Sequence, residues 1–231
     1  SRPFVPENAQ LHLPGRFTIR KKDDADRLRN YLEQTQLPPE EQHVVIVGGG
    51  LLGLELAAAL KHKKVKITII QRASRLMERQ LDRISSKLLA EEVQQRDIQI
   101  YFDNEVSTVF STNRAHELEI ALKSGRTLTA NAIVYTIGTI PNIEVAKEAG
   151  LTCARGVKVN QYLQSSNPSI FAIGEIAEFN NQLFGITSAA EEQADILANY
   201  LAGDISSHYK GSVLMNILKL EDINLCSIGE I

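Results

Sequence analysis

The chain has 231 residues, which is enough for one long domain or two modest ones with an ample core. Hydrophobic residues make up 43% and charged residues 23%, with 14 glycines and 7 prolines, so a disordered, collagen-like or low-complexity chain is excluded. The formal net charge of −3 provides no electrostatic footprint for nucleic acid or an anionic membrane, and any anionic ligand has to be captured locally.

The first half of the sequence reads as alternating helices and strands. Residues 1–20 are rich in proline and predict extended chain and turns, and residues 21–36 predict a helix with a narrow apolar stripe. The β-branched run 43–47 is typical of a parallel strand covered on both faces. A helix over 51–61 and a strand over 65–70 follow, which together make a right-handed βαβ unit.

The pattern then changes from α/β alternation to an antiparallel meander. Leu81, Ile84, Leu88 and Val93 mark an amphipathic helix, and a strand follows over 98–101. Between 105 and 131 the apolar residues alternate with polar ones, which predicts a three-stranded meander. The remaining predicted elements are strands at 132–137, 157–159, 170–173 and 213–218 and helices at 143–149 and 188–201.

Glycines at 48, 50 and 53 form a GxGxxG motif directly after the first β-branched strand and at the start of a helix. In that context the first glycine permits a tight turn, the second lets a diphosphate approach the backbone, and the third allows the helix to pack closely on the strand. Gly49, Leu51 and Leu52 fall in the same turn, whose N–H groups lie at the positive end of the helix dipole. The motif predicts a nicotinamide dinucleotide site; the alternative is a purely structural turn.

The end of the second strand, Gln71-Arg72, is expected to meet the adenosine ribose. An acidic residue there favours NAD, whereas Gln71 can bond hydroxyl groups and Arg72 can pair with a 2′-phosphate, so NADH and NADPH both remain open. The alternative interpretation is that Arg72 is a solvated turn residue without a ligand. Glu55, on the first turns of an apolar helix, either complements the helix dipole or faces the nicotinamide.

Cysteine and histidine give no metal-binding or disulfide pattern. Cys153 and Cys226 are far apart, no Cys/His cluster has metal spacing, and no metal site is expected. This usage favours a reducing, cytoplasmic setting, and no apolar run is long enough to span a membrane. Because the chain opens on Ser1-Arg2-Pro3 without methionine, we expect it to be a fragment of a longer protein.

Five segments in order give the sequence a family resemblance. They are SRPFVP at the start, GGGLLGLELA, TIGTIPN at 136–142, RGVKVN at 155–160 and SIFAIGE at 169–175. Together they resemble the FAD-dependent pyridine nucleotide oxidoreductases of the ferredoxin, rubredoxin and nitrite reductase group. Gly-Glu at 174–175, where many relatives read Gly-Asp, and the late LKLEDINLCSIGE favour the large subunits of assimilatory NAD(P)H nitrite reductases.

The resemblance implies a Rossmann-like NAD(P)H-binding domain with the meander, set within a partial flavin domain. It assigns 1–20 to a flavin-domain remnant, 21–141 to the NAD(P)H-binding domain, 142–205 to the second flavin segment and 206–231 to the start of a C-terminal domain or a linker. It further implies that Gly138 approaches the nucleotide, that Glu55 lies near the nicotinamide, and that Ser1, Arg2, Gly174 and Glu175 hold FAD.

The implied reaction is hydride transfer from NAD(P)H to FAD, followed by electron transfer to a downstream siroheme or iron–sulfur domain or to a small electron carrier. A homodimer formed through a domain near the chain's end is also implied. The family's first glycine-rich FAD unit would precede residue 1, so we expect this fragment alone to hold FAD poorly and to be inactive. A rubredoxin or ferredoxin reductase is the enzymatic alternative, and a non-catalytic NAD(H)-sensing module is the alternative from another class.

Overall fold

The computed structural model of the chain describes residues 1–220 and 223–229, so residues 221–222 and 230–231 of the predicted C-terminal segment lie outside the described residues. The chain divides into two compact units. A larger unit comprises Pro3–Gly138 with 217–220 and 223–225, and a smaller unit comprises Ser1–Arg2, Thr139–Asn216 and 226–229.

The strands and helices alternate through the first half of the chain. In chain order they are β1 (Arg2–Pro3), β2 (Arg16–Thr18), α1 (Lys22–Gln34), β3 (His43–Val47), α2 (Leu51–His62), β4 (Lys66–Ile70), α3 (Arg83–Gln95), β5 (Ile98–Tyr101), β6 (Val106–Ser111), β7 (Leu118–Leu122), β8 (Thr127–Ala130), β9 (Ala132–Tyr135), β10 (Thr139–Ile140), α4 (Glu144–Glu148), β11 (Val157–Val159), β12 (Ala177–Phe179), β13 (Gln182–Leu183), α5 (Thr187–Leu201), β14 (Met215–Leu220) and β15 (Ile223–Ile228).

The larger unit is built on a five-stranded parallel sheet in the order β2-β9-β3-β4-β5. Side chains of successive strand residues point to opposite faces, so Val44 and Ile46 pack with the helices while Val45 packs with the meander β6-β7-β8. The continuous apolar run of β3 is therefore buried on both faces, and the predicted α/β fold with an antiparallel meander is confirmed.

The central strand β3 has β4 on one side and β9 on the other. The chain leaves β3 through α2 toward β4, so the carboxyl end of β3 is the point at which the sheet order reverses. Open α/β sheets bind ligands at this crevice. The glycine turn predicted to bind a dinucleotide begins there.

The smaller unit contains a mixed three-stranded sheet and the long helix α5. β11 pairs in parallel with β12, and β12 pairs antiparallel with β13. Its apolar core comprises Leu163, Phe179, Phe184, Ala189 and Tyr209.

Two local predictions are wrong. Helix α3 forms, but Ile84 and Leu88 are 72% and 58% exposed; the buried face runs through Ser86, Leu89, Ala90 and Val93. The strand predicted over 170–173 is absent, and only an isolated bridge joins Phe171 to Gln164. The chain turns there, with Ile170 N donating to Asn167 O, and the strand beside β11 is β12 instead.

Residues 1–20 are shared between the two units. β2 pairs with β9 in the main sheet, so this part of the predicted flavin-domain remnant belongs to the larger unit. In this pairing, residues 16–18 lie opposite residues 133–135. Among the described residues, no helix is both long and apolar enough to cross a bilayer.

Candidate functional site

The glycine turn connects the carboxyl end of β3 to the first turn of α2. Gly48 has a φ of +112°, and a Cβ on it would lie 2.8 Å from the Thr136 carbonyl oxygen. A Cβ on Gly53 would lie 2.0 Å from the Gly48 carbonyl oxygen. Both positions therefore require glycine for the backbone conformation or for the close approach of helix and strand.

Gly50 differs from these two glycines because nothing lies within 4 Å of the place where its Cβ would be. Its φ of −87° is accessible to any residue. Packing therefore gives no reason for a glycine at this position. The glycine instead leaves open space at the end of the helix, as close approach of a ligand to the backbone requires.

The N-terminus of α2 has no side-chain cap. The hydrogen bond from Leu54 N to Gly50 O, 3.0 Å long, begins the helical ladder. The backbone N–H groups ahead of Leu54 therefore point out of the helix end, where the dipole is positive. Leu51 is half-buried against the core and Leu52 is 39% exposed, so these residues offer the turn their backbone amides. This arrangement suits a diphosphate.

Gln71 supports the turn from within the protein. Gly49 N donates to Gln71 Oε1 over 2.8 Å, and Gln71 Nε2 donates to the Arg75 carbonyl oxygen over 3.1 Å. Met77 N in turn donates to Gly49 O. The Gln71 side chain is buried, and both its Oε1 and its Nε2 already have protein partners. Its contact with a ribose stays a prediction, and it would use the second N–H of Nε2.

Thr136 supports the glycine turn, and sequence reasoning did not predict this residue. Its hydroxyl donates to the carbonyl oxygens of Val47 and Gly48, at 3.0 and 3.2 Å. These bonds fix the end of β3 against the chain that leaves β9. Gly138, two residues on, has a φ of +112° and open space at its Cβ position, as at Gly50. No signal in the sequence links Thr136 to a turn more than 80 residues away.

The two charged residues predicted near the coenzyme lie on the surface of the larger unit. Arg72 is exposed at the end of β4. Glu55 lies on α2, one helical turn after Leu51, and partial burial raises the pKa of its carboxyl group. The residue is nevertheless exposed, so its carboxylate is accessible to a ligand.

The four residues predicted to hold FAD all lie in the smaller unit. Glu175 accepts from the Ser1 hydroxyl over 2.6 Å and from the Thr139 hydroxyl over 2.7 Å. Arg2 instead pairs with Glu144, at 2.6 Å, and this ion pair lowers the pKa of the Glu144 carboxyl. Two of the four residues, Ser1 and Glu175, are thus brought into direct contact across 174 positions of sequence.

Gly174 is held by a second residue that the sequence did not reveal. Its N–H donates to Gln193 Oε1 over 2.6 Å, and its φ is +76°. Gln193 lies on α5 and is completely buried. Within the described part of the chain its Nε2 has no hydrogen-bond partner. The left-handed glycine followed by Glu175 is therefore fixed by α5.

Metal and thiol chemistry have no visible site in the described residues. No group of three or more His, Cys, Asp or Glu side chains there is arranged to hold a metal ion. Cys153 and Cys226 are both free cysteines. No redox-active disulfide is formed between them.

Comparison with known proteins identifies relatives among reductases. The pyridine nucleotide-disulphide oxidoreductase family matches residues 1–194. The chain is 32% identical over 217 residues to an assimilatory nitrate reductase electron transfer subunit of Bacillus subtilis, covering 94% of this chain and 27% of that protein. It is 33% identical over 198 residues to a nitrite reductase [NAD(P)H] of the same organism, covering 85% and 24%. The chain thus spans about a quarter of the length of these curated relatives.

Solved structures show the same fold. A ferredoxin reductase from Rhodopseudomonas palustris superposes with a TM-score of 0.88 at 26% identity, covering 99% of this chain and 56% of that one. The expectation of an FAD- and NAD(P)H-using oxidoreductase is confirmed at the level of the family. The chain belongs to the pyridine nucleotide-disulphide oxidoreductase family.

Proposed function

We propose that this chain is the NAD(P)H-binding part, with a portion of the flavin part, of a flavoprotein reductase that acts in nitrite reduction. The observation that carries the proposal is the glycine turn at the carboxyl end of β3. There an uncapped helix N-terminus stands next to a glycine with no packing reason to be glycine. Residues 21–141, together with β2, form the NAD(P)H-binding domain; the rest of 1–20 and residues 142–205 contribute to the flavin domain, and 206–231 begin a C-terminal domain or linker.

The residues of the turn bind the coenzyme's diphosphate through backbone N–H groups. Gly48 and Gly53 shape the turn, Gly50 admits the phosphates, and Gln71 holds the Gly49 amide in place. Gly138 lies at the same edge of the sheet and lets the coenzyme approach the backbone.

Two charged residues, Arg72 and Glu55, bind opposite ends of the coenzyme. Arg72, exposed after β4, serves the adenosine end and pairs with a 2′-phosphate when one is present. Glu55 serves the nicotinamide end as a hydrogen-bond acceptor. Its side chain is exposed on α2 and is therefore accessible to the coenzyme.

A bound flavin would supply a hydride acceptor that can pass electrons on singly, and the protein contributes position and electronics. Ser1, Arg2, Gly174 and Glu175 are the residues of this chain that hold it. Glu175 presents a carboxylate that is positioned by two hydroxyl groups and accepts a hydrogen bond from a ribityl hydroxyl.

The onward acceptor is a siroheme or iron–sulfur domain of the longer protein. Support comes from the names of two relatives, an electron transfer subunit of nitrate reductase and a nitrite reductase. Transfer to a small electron carrier is the second candidate, and the structural likeness to a ferredoxin reductase favours it. The proposal includes a cytoplasmic location and a homodimer.

Calorimetric titration of the chain with NADH and with NADPH tests coenzyme binding. We expect saturable binding of at least one coenzyme, and Arg72→Ala should weaken NADPH more than about tenfold while leaving NADH unchanged. Arg114→Ala, which removes an exposed arginine from the turn between β6 and β7, is the matched control. Binding of neither coenzyme would contradict the proposal.

The acceptor is tested in the full-length protein. Nitrite-dependent oxidation of NAD(P)H is the expected result. Oxidation that depends on added ferredoxin or rubredoxin and not on nitrite would move the assignment to the second candidate.

A further inference from the structure

The segment that follows β4 and the helix α3 together line a cavity. This cavity of about 360 Å³ is lined by Ser74, Arg75, Arg83, Ser86, Lys87 and Phe102, among others. All of these residues belong to the larger unit. The cavity is distinct from the glycine turn, and none of its residues has a role in the proposed function.

The lining carries three positive charges and no carboxylate. Arg83 and Lys87 lie four residues apart on α3 and therefore share a face of the helix, and Ser86 lies between them. The chain as a whole is slightly acidic, with a net charge of −3. A cavity that gathers three cations in such a chain is a local site for an anion.

The existing partners of these cations are weak. Lys87 Nζ lies 3.7 Å from Glu91, and both side chains are at least half exposed, so exchanging this ion pair for a ligand costs little. Arg75 donates one Nη to the Glu78 carbonyl oxygen over 3.0 Å. Within the described residues its buried Nε has no acceptor. A buried donor without a partner is costly, and an anion in the cavity relieves that cost.

The carboxylate that directly precedes Arg83 is already engaged elsewhere. The Asp82 carboxylate caps α3 by accepting from Ser85 N over 2.7 Å. That hydrogen bonding lowers the pKa of Asp82, and Arg75 contributes more weakly. Asp82 and Glu91 are two carboxylates near three cations, so the cavity keeps a net positive charge.

The floor of the cavity is rigid and is connected to the coenzyme turn. The Ser86 hydroxyl donates to the Leu76 carbonyl oxygen over 2.7 Å, and the Arg75 carbonyl oxygen accepts from Gln71, the residue that holds the Gly49 amide. A site whose backbone is fixed in this way loses little entropy when it binds.

We propose that this cavity binds a phosphate dianion, held by Arg75, Arg83 and Lys87. A planar guanidinium pairs with two phosphate oxygens at once, and a lysine adds a point charge. The same chemical group is carried by free phosphate and by the 2′-phosphate of a coenzyme bound at the glycine turn. In the second case the inference rests on the proposed function: Arg72 and the cations of the cavity bind the same phosphate, and the cavity is a further determinant of NADPH preference.

Three probes distinguish the sources by calorimetry on this chain: inorganic phosphate, ADP-ribose and 2′-phospho-ADP-ribose. If the coenzyme supplies the group, 2′-phospho-ADP-ribose binds at least about tenfold tighter than ADP-ribose, and Arg83→Ala and Lys87→Ala each remove most of that difference. If free phosphate supplies it, inorganic phosphate binds without any nucleotide, and the same two variants abolish its binding.

Arg96→Ala is the matched control, because it removes a positive charge at the opposite end of the same helix, about 20 Å away. It should leave every affinity unchanged, and unfolding curves verify that all three variants fold. The inference is overturned if phosphate does not bind and the 2′-phosphate adds nothing, or if either effect survives in both Arg83→Ala and Lys87→Ala. Failure of ADP-ribose itself to bind would instead contradict the proposed function, while the phosphate arm would still test the cavity.

Discussion

Replacing Gly53 by alanine separates the packing of the turn from the binding of its ligand. In an open helical position, alanine is more stable than glycine by about 1 kcal/mol. At residue 53 the added methyl group would lie 2.0 Å from the Gly48 carbonyl oxygen and 2.8 Å from Thr136 Oγ1. The first of these atoms is backbone and cannot rotate away, so the helix has to shift from the strand.

Overpacking of this kind costs about 1–3 kcal/mol, and a backbone contact at 2.0 Å belongs at the upper end of that range. After the gain in helix propensity, we expect the free energy of unfolding of Gly53→Ala to fall by about 2 kcal/mol. In a chain of this length, that fall lowers Tm by about 4–8 °C. Thermal and urea unfolding measure it, and ADP-ribose affinity should fall in the same variant.

Gly50→Ala is the matched control, since its methyl group meets no heavy atom within 4 Å. Its free energy of unfolding should stay within about 0.5 kcal/mol of the parent, as for most surface substitutions. Its affinity for ADP-ribose should nevertheless fall more than about tenfold, because the methyl group occupies the space left for the phosphates. A Gly53→Ala protein as stable as the parent, or a Gly50→Ala protein that binds normally, would refute this reasoning.

Substitutions at three further residues test the surroundings of the same sheet. Gln71→Leu leaves the Gly49 amide buried without an acceptor and should destabilise the chain by about 1–3 kcal/mol, measured by urea unfolding, while Gln71→Glu keeps the acceptor and should lose less. Burial lowers the pKa of His43, whose ring nitrogens bond Thr129 O and Thr68 Oγ1. The unfolded chain therefore binds the proton more tightly, so stability should fall as pH drops below about 6.5, and His43→Gln should flatten that part of the Tm-against-pH curve. Burial raises the pKa of Glu55, so ionisation opposes folding; Glu55→Gln should raise Tm at pH 7 and not at pH 3.5, and an equal change at both values would contradict this assignment.

Local sequence patterns predicted the elements around the turn because their causes are local. The run His43–Val47 is buried on both faces, and a glycine pattern follows it within six residues, so strand, turn and helix are all encoded in one short segment. The alternation that predicted the meander is likewise a property of adjacent residues.

Local sequence patterns could not predict the contacts between residues that are distant in sequence. Gln71 reads as a ribose contact at the end of a strand, and nothing nearby shows that its amide turns inward to Gly49. Thr136 and Gln193 act on glycines that are distant in sequence. For helix α3 the sequence pattern predicted the wrong buried face. Ser86, a polar residue, is buried and donates a hydrogen bond to Leu76 O, while the apolar Leu88 is exposed.

The division of the smaller unit into distant stretches has a consequence for synthesis on the ribosome. Residues 3–138 of the larger unit emerge as one nearly continuous piece, whereas the smaller unit joins Ser1–Arg2 to Thr139–Asn216. Translation at about 5–20 residues per second leaves roughly 4–16 s between the emergence of Gly138 and that of Asn216. For those seconds Ser1 has already been made while its partner, Glu175, has yet to be made or released, so vectorial folding should complete the main sheet before the hydroxyl of Ser1 finds its carboxylate.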